Sequence, residues 1–390
     1  MNSFADFADA MAKPQRPSAA PARTFQRVAV LGGGADARML AAIAVSEGAD
    51  VTLFSAYRDE LQAMRSGGIA LRGAGPVGSY QADANGAPSV KTTAELDGAV
   101  GEAELIFLTG PIHKQRTYAM VLADHLKDGQ VIVIAPGRTF GALETRWLLG
   151  IGGCTANITI VEAALPFWFT AEGNTLHLSP ATGATGATLP GNQPGVCEGL
   201  HPLMPGVAPL LNSITSSFAD GSGLVEVPAL LLGGRAMAAG GPAIPMGATS
   251  LPENETFRNL IGDDHRRVVD DMAAERHETA RRFGVRDLPG TDGWLDAHAG
   301  AASGEGARPI PSHDLAQRIV RDAVIGSLLP LTSAARLVGF ATPATDAMIA
   351  LASSILKADL ATAGRKLPSM GVDGPDPDSA RRTLENAAGL

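Results

Sequence analysis

Val28-Ala29-Val30-Leu31-Gly32-Gly33-Gly34-Ala35-Asp36-Ala37 decides the fold of this chain. The first four residues are apolar and read as a short buried strand. The glycines read as a tight turn, and Arg38 to Val45 reads as a helix. A second β-like run, Asp50 to Ser55, follows at once. This strand-turn-helix-strand unit carries the spacing G-x-G-x-x-A at Gly32, Gly34 and Ala37, which predicts a dinucleotide-binding Rossmann unit.

Each position has its own physical role. Gly32 lets the chain turn sharply out of the strand. Gly34 and the neighbouring Ala35 leave room for a pyrophosphate to approach the backbone, and Ala37 is small enough for the helix to pack close to the sheet. The helix N-terminus offers free N–H groups and a partial positive charge to the phosphates. An NAD site usually ends its second strand in an acid. Here the strand runs into Phe54-Ser55-Ala56-Tyr57-Arg58. Ser55 and Arg58 are therefore expected to read a 2′-phosphate, and NADP is expected over NAD. Ligands in open α/β sheets lie at the carboxyl ends of strands, so Thr109, Pro111 and Pro136, which follow two further apolar runs, are expected beside the cofactor.

Composition bounds the rest. The 390 residues suffice for two domains, and 45% hydrophobic with 18% charged residues is ordinary for a folded enzyme. A net charge of −9 leaves no basic footprint, so no nucleic-acid partner is expected. The two cysteines, Cys154 and Cys197, form no C-x-x-C pair and no Cys/His cluster, so neither a metal site nor a disulfide is expected. No signal-like h-region follows the start and no apolar run is long enough for a membrane span, which predicts a cytoplasmic protein without a membrane partner.

Strand-like runs at Ala103–Thr109, Gln130–Ala135 and Asn157–Glu162 alternate with helical patterns, as in a parallel sheet covered on both faces. Ser179 to Gly206 is rich in Gly, Pro and Thr and reads as a linker with some strand. Long helical periods follow at 259–283, 313–327 and 343–363. The expected organisation is a flexible tail over 1–24, a Rossmann domain over 25–200 and an all-α substrate and dimerisation domain over 201–390, with a homodimer as the assembly.

Ala135-Pro136-Gly137-Arg138-Thr139-Phe140-Gly141-Ala142-Leu143-Glu144 and Glu162-Ala163-Ala164-Leu165-Pro166-Phe167 resemble the segments around the cleft of opine dehydrogenases, the octopine and nopaline group. Arg321-Asp322 through Pro330, Leu337 to Pro343, and Asn254 to Leu288 with Trp294-Leu295 are similar to that family's later segments, in the same order. The resemblance implies a Rossmann domain plus a helical domain with substrate between them. It implies reduction by NAD(P)H of an imine formed from an amine or amino acid and a 2-oxo acid, or the reverse oxidation, without a metal. By this resemblance Asp322 is a catalytic residue, and Phe167, Trp168 and Arg318 are expected to meet small-molecule substrates.

The chain departs from the family twice. The family places a His-Pro pair early in the helical domain as its acid/base. Here the matching stretch is Ser222 to Leu230, and Val227 precedes Pro228. Glu226 can replace the histidine if burial raises its pKa. His113, His201 and His265 are other candidates, with His113 foremost. The family also carries Cys-Arg soon after Leu165-Pro166, where this chain has Phe167-Trp168-Phe169-Thr170, so a less anionic and more apolar substrate group is expected. Two other readings stand beside this one. A reductase of ketopantoate-reductase or glycerol-phosphate-dehydrogenase type would act on a hydroxyl and favours a lysine on the first helix of the helical half. A non-catalytic NADP-binding protein would turn nothing over.

Overall fold

The protein is described by a computed structural model over residues 23–84, 89–233 and 256–390. The expected tail up to residue 22 lies outside the described residues.

The opening stretch folds as read. β1 (Arg27–Leu31) runs through Gly32–Gly34 into α1 (Ala35–Ser46), and β2 (Asp50–Phe54) lies parallel beside β1. Side chains of a strand alternate between faces. Accordingly Val28 and Val30 enter one core with Met39 and Ile43 of α1. Ala29 and Leu31 enter the core on the other face with Tyr118 and Leu122. Buried on both faces, β1 can be apolar from Val28 onward.

α2 (Arg58–Gly67) leads to the antiparallel pair β3 (Ile69–Gly73) and β4 (Gly78–Ala82), and β5 (Ser89–Thr93) follows. After α3 (Leu96–Val100) come β6 (Leu105–Leu108), α4 (Ile112–Leu122), β7 (Val131–Ile134), α5 (Gly141–Ile151) and β8 (Thr159–Ala163). α4 opens on Pro111, whose extended backbone fits the position just before a helix.

The central strands run β8-β7-β6-β1-β2-β5, all parallel. The stretch read as a linker is structured. The hairpin β9 (Phe167–Glu172) and β10 (Thr175–Pro180) joins the sheet beside β3. β11 (Thr185–Leu189) pairs with β8, and α6 (Pro194–Leu200) follows. Residues past 200 still serve the sheet: β12 (Ala208–Pro209) pairs with β11.

From α7 (Ser213–Ala219) onward the chain is helical: α8 (Ser222–Leu232), α9 (Asp263–Arg282), α10 (Thr291–Ala299), α11 (His313–Ala323), α12 (Leu329–Leu337) and α13 (Pro343–Leu356) are its main members. α8 is apolar almost all round and buried along its length, as a central helix must be. Leu224, Val225, Val227 and Leu230 share a core with Met272, Trp294, Val320, Leu328 and Met348. A π-helical turn, Val324–Leu328, joins α11 to α12. No single helix among the described residues is long and apolar enough to cross a membrane. The architecture is thus α/β, a Rossmann sheet followed by a helical C-terminal half.

Candidate active site

One cavity of about 710 Å³ runs from the glycine turn to the helical half. Its near end is built by Gly32, Gly33, Gly34, Ala35 and Asp36. A side chain at Gly32 would meet Thr109 Oγ1 at 2.5 Å, and the φ there is +131°, so only glycine serves. Gly33 is packed under the Glu60 side chain. Ala37 is fully buried against the sheet. Thr109 donates its hydroxyl to the Leu31 carbonyl at 2.9 Å, and Thr109, Pro111 and Pro136 all line the cavity. The cradle has the shape a dinucleotide pyrophosphate requires: bare glycine backbone facing a helix N-terminus.

Neither residue expected to read a 2′-phosphate lines the cavity. Ser55 is fully buried and its hydroxyl donates to Glu60 Oε2 at 2.5 Å, so it is not open to a 2′-phosphate. Arg58 is exposed at the start of α2 and is not part of the cavity wall. Glu60, from the first turn of α2, brings a carboxylate to this end of the cavity. Asp36 adds a second carboxylate, which accepts the Gly110 N–H at 2.5 Å. Burial pushes the Asp36 pKa up, against the N–H groups of Gly110 and Ala37.

The far end is polar and deeply placed. Arg138, in the loop after β7, donates to Ser222 Oγ at 2.8 Å and to Glu226 Oε2 at 3.1 Å. Arg308 donates to Glu226 Oε1 at 2.8 Å. Ser222 and Glu226 are one helical turn apart on α8, which puts both on the cleft-facing side. Val227, next to Glu226, turns into the core and does not line the cavity. Arg138 Nε is buried without a hydrogen-bond partner among the described residues.

Glu226 therefore does not fit the role of a proton donor. Burial alone would raise its pKa, but Arg138 and Arg308 together outweigh that and hold it ionised. Asp322, at the end of α11, behaves in the opposite way. Burial raises its pKa, and Arg138, the Ile112 N–H and His113 only partly offset this. His113 is exposed at the start of α4 and Arg318 is exposed on α11, and both line the cavity. His265 accepts the Gly262 N–H and caps its own helix, and His201 is exposed at the end of α6. Neither lines this cavity.

Sequence reasoning missed His298, on α10. Its Nε2 accepts the Gly221 N–H at 3.1 Å, and it lines the cavity with Asp220 and Glu226. Burial lowers its pKa to about 4, against the pull of those two carboxylates. Glu162 opens the segment Glu162 to Phe167. It is buried at the end of β8, accepts from the Ala142 N–H at 3.1 Å and from Ser217 Oγ at 2.8 Å, and is pushed up to about 7 by burial. Phe167 and Trp168 of β9 do line the cavity, with Phe169, Leu165, Pro289, Trp294 and Pro309. Arg308, from another segment, brings a guanidinium to 5.9 Å from the Trp168 ring centroid.

Fold and cavity define a two-part architecture, a Rossmann sheet facing a helical half across one elongated cleft. No protein-family model matches the chain. An opine dehydrogenase of Arthrobacter sp. (strain 1C) is 24% identical over 373 residues, covering 92% of this chain and 98% of the relative. A solved octopine dehydrogenase, in complex with NADH and agmatine, aligns with a TM-score of 0.65 at 17% identity over 90% of this chain and 97% of its own. A putative ketopantoate reductase from Ralstonia solanacearum MolK2 aligns at 0.59 and 14% identity over 85% of this chain and 98% of its own. The likeness to opine dehydrogenases read from separate motifs thus extends over nearly the whole chain.

Proposed function

We propose that this protein is an NAD(P)-dependent oxidoreductase that reduces the imine condensed from an amine or amino acid and a 2-oxo acid, or oxidises the secondary amine in reverse. The observation that carries this reading is that the glycine cradle and the Arg138–Glu226–Arg308 group line a single cavity. A nicotinamide dinucleotide supplies hydride when bound, and Gly32, Gly34, Ala35 and the N-terminus of α1 would hold its phosphates.

Arg138 takes the carboxylate of the oxo acid, its orphaned Nε giving it a donor to spare. Phe167, Trp168 and Pro309 hold an apolar portion of the amine partner, and Arg318 at the rim meets its polar end. Asp322 carries the proton that must reach or leave nitrogen, since burial keeps its carboxyl closer to neutrality than an exposed one. His113, at the mouth, exchanges that proton with water. Glu226 orients the two guanidiniums and stays ionised. The hydroxyl-reductase alternative lacks its lysine: none occurs between Lys127 and Lys357.

The test is loss of the reduced-nicotinamide absorbance with 2-oxo acids, with and without amines, followed by mass spectrometry of the product. A secondary amine formed only when both partners are present is expected. Turnover of an oxo acid alone to a hydroxy acid would overturn the C–N assignment. Asp322→Asn is expected to lower kcat at least a hundredfold with little change in nucleotide affinity.

A further inference from the structure

Glu60 brings a carboxylate to the glycine turn, although it does not stand where a strand-end acid would. Ser55 occupies that strand-end position and donates to Glu60 Oε2 at 2.5 Å, and the Tyr57 N–H in turn donates to Ser55 Oγ at 3.1 Å. The turn after β2 therefore fixes the carboxylate. On its other side Glu60 lies against Gly33, so closely that any side chain at Gly33 would displace it. It lines the same cavity as the glycine cradle, and its side chain keeps 29% of its surface exposed. The position is at the carboxyl end of β2 beside the glycine turn, where a dinucleotide laid across the cradle puts its adenosine ribose.

The surrounding cations do not form a phosphate site. Lys114 Nζ is 3.5 Å from Glu60 Oε1 and lies over the Tyr57 ring at 4.3 Å, so its charge is already matched. Arg38 feels Glu60 as well, but its guanidinium donates to the Gly173 carbonyl at 2.9 Å and to Asn174. Arg58 is directed to solvent. A ribose 2′-hydroxyl can donate to a carboxylate at this place, whereas a 2′-phosphate would bring about two negative charges against it.

We infer that Glu60 makes the protein select NAD(H) and reject NADP(H). The inference rests on the proposed nicotinamide chemistry and reverses the preference that Ser55 and Arg58 suggest in the sequence. Titration of the full chain with NADH and with NADPH, followed by quenching of tryptophan fluorescence at about 0.15 M salt, tests it. NADH is expected to bind at least tenfold tighter. Glu60→Gln is expected to shrink that ratio about tenfold, mainly by tightening NADPH, with an unchanged thermal melt. Lys114→Gln is expected to leave the preference for NADH in place or enlarge it. Equal or tighter NADPH binding by the unaltered protein overturns the inference. So does a Glu60→Gln ratio that does not move, or a Lys114→Gln protein whose preference for NADH shrinks. Failure of both nucleotides to bind would remove the proposed function itself, an outcome distinct from a wrong preference between them.

Discussion

Arg138 and Glu226 meet at 3.1 Å across the cleft, one in the loop after β7 and the other on the central helix α8. Both side chains are about nine-tenths buried, and Arg308 holds the second oxygen of the same carboxylate. The pair ties the Rossmann sheet to the helical half at the place where substrate is proposed to bind.

Removal of this carboxylate leaves two buried guanidiniums without their counter-charge. Glu226→Ala is expected to cost about 3–5 kcal/mol of unfolding free energy. Urea denaturation checks it. Glu226→Gln retains two polar atoms of similar shape and is expected to lose less, with the difference reporting the charge alone.

Glu162 and His298 oppose each other in the pH dependence of stability. Glu162 is pushed from 4.5 to about 7, so its neutral form suits the fold and stability falls as pH rises through that window. His298 is lowered from 6.5 to about 4, so its neutral form also suits the fold and stability falls as pH drops through that window. Over their overlap the two slopes cancel. Glu162→Gln is expected to tilt the profile between about pH 4.5 and 6.5 toward greater stability at higher pH, relative to the unaltered protein, by about 1 kcal/mol per pH unit. His298→Gln is expected to tilt it the other way. Denaturation at a series of pH values reads both.

Asp36 places a carboxylate in the first turn of the helix whose N-terminus faces the phosphates. Like charge there opposes a pyrophosphate, and burial favours the protonated side chain. Nucleotide affinity is expected to rise as pH falls. Asp36→Asn is expected to bind severalfold tighter at pH 8 and to lose most of that pH dependence, measured by calorimetry.

Gly32→Ala combines a disfavoured φ of +131° with a clash against Thr109. It is expected to abolish nucleotide binding and to cost about 1–3 kcal/mol of stability. A folded protein with unchanged affinity would show that the cradle is not used.

The sequence disclosed what is local. Gly32, Gly34 and Ala37 lie within six positions of one another, so spacing alone reveals their geometry, and the apolar runs of β6, β7 and β8 announce a sheet buried on both faces. The far end of the cleft was hidden because it is assembled from distant segments. Arg138 reaches Glu226 across 88 residues, and Arg308 reaches it across 82. His298 looked like any helical histidine until α10 packed against Gly221. Glu60 was visible, but only the hydrogen bond from Ser55 turns it toward the glycine turn. Arg308 stands near Trp168 in space but 140 positions away in the chain, so Phe167-Trp168-Phe169 leaves no trace of it.

Arg365 carries a consequence for the order in which the molecule is made. Its guanidinium, 2% exposed, donates to Glu144 and to the carbonyls of Gly137 and Thr139, the two neighbours of Arg138. Gly137 leaves the ribosome 228 residues before the side chain that fastens it. The nucleotide cradle can form early in translation, while the loop that presents Arg138 waits for nearly the whole chain. A nascent protein halted before Arg365 would hold its cofactor site without a finished cleft.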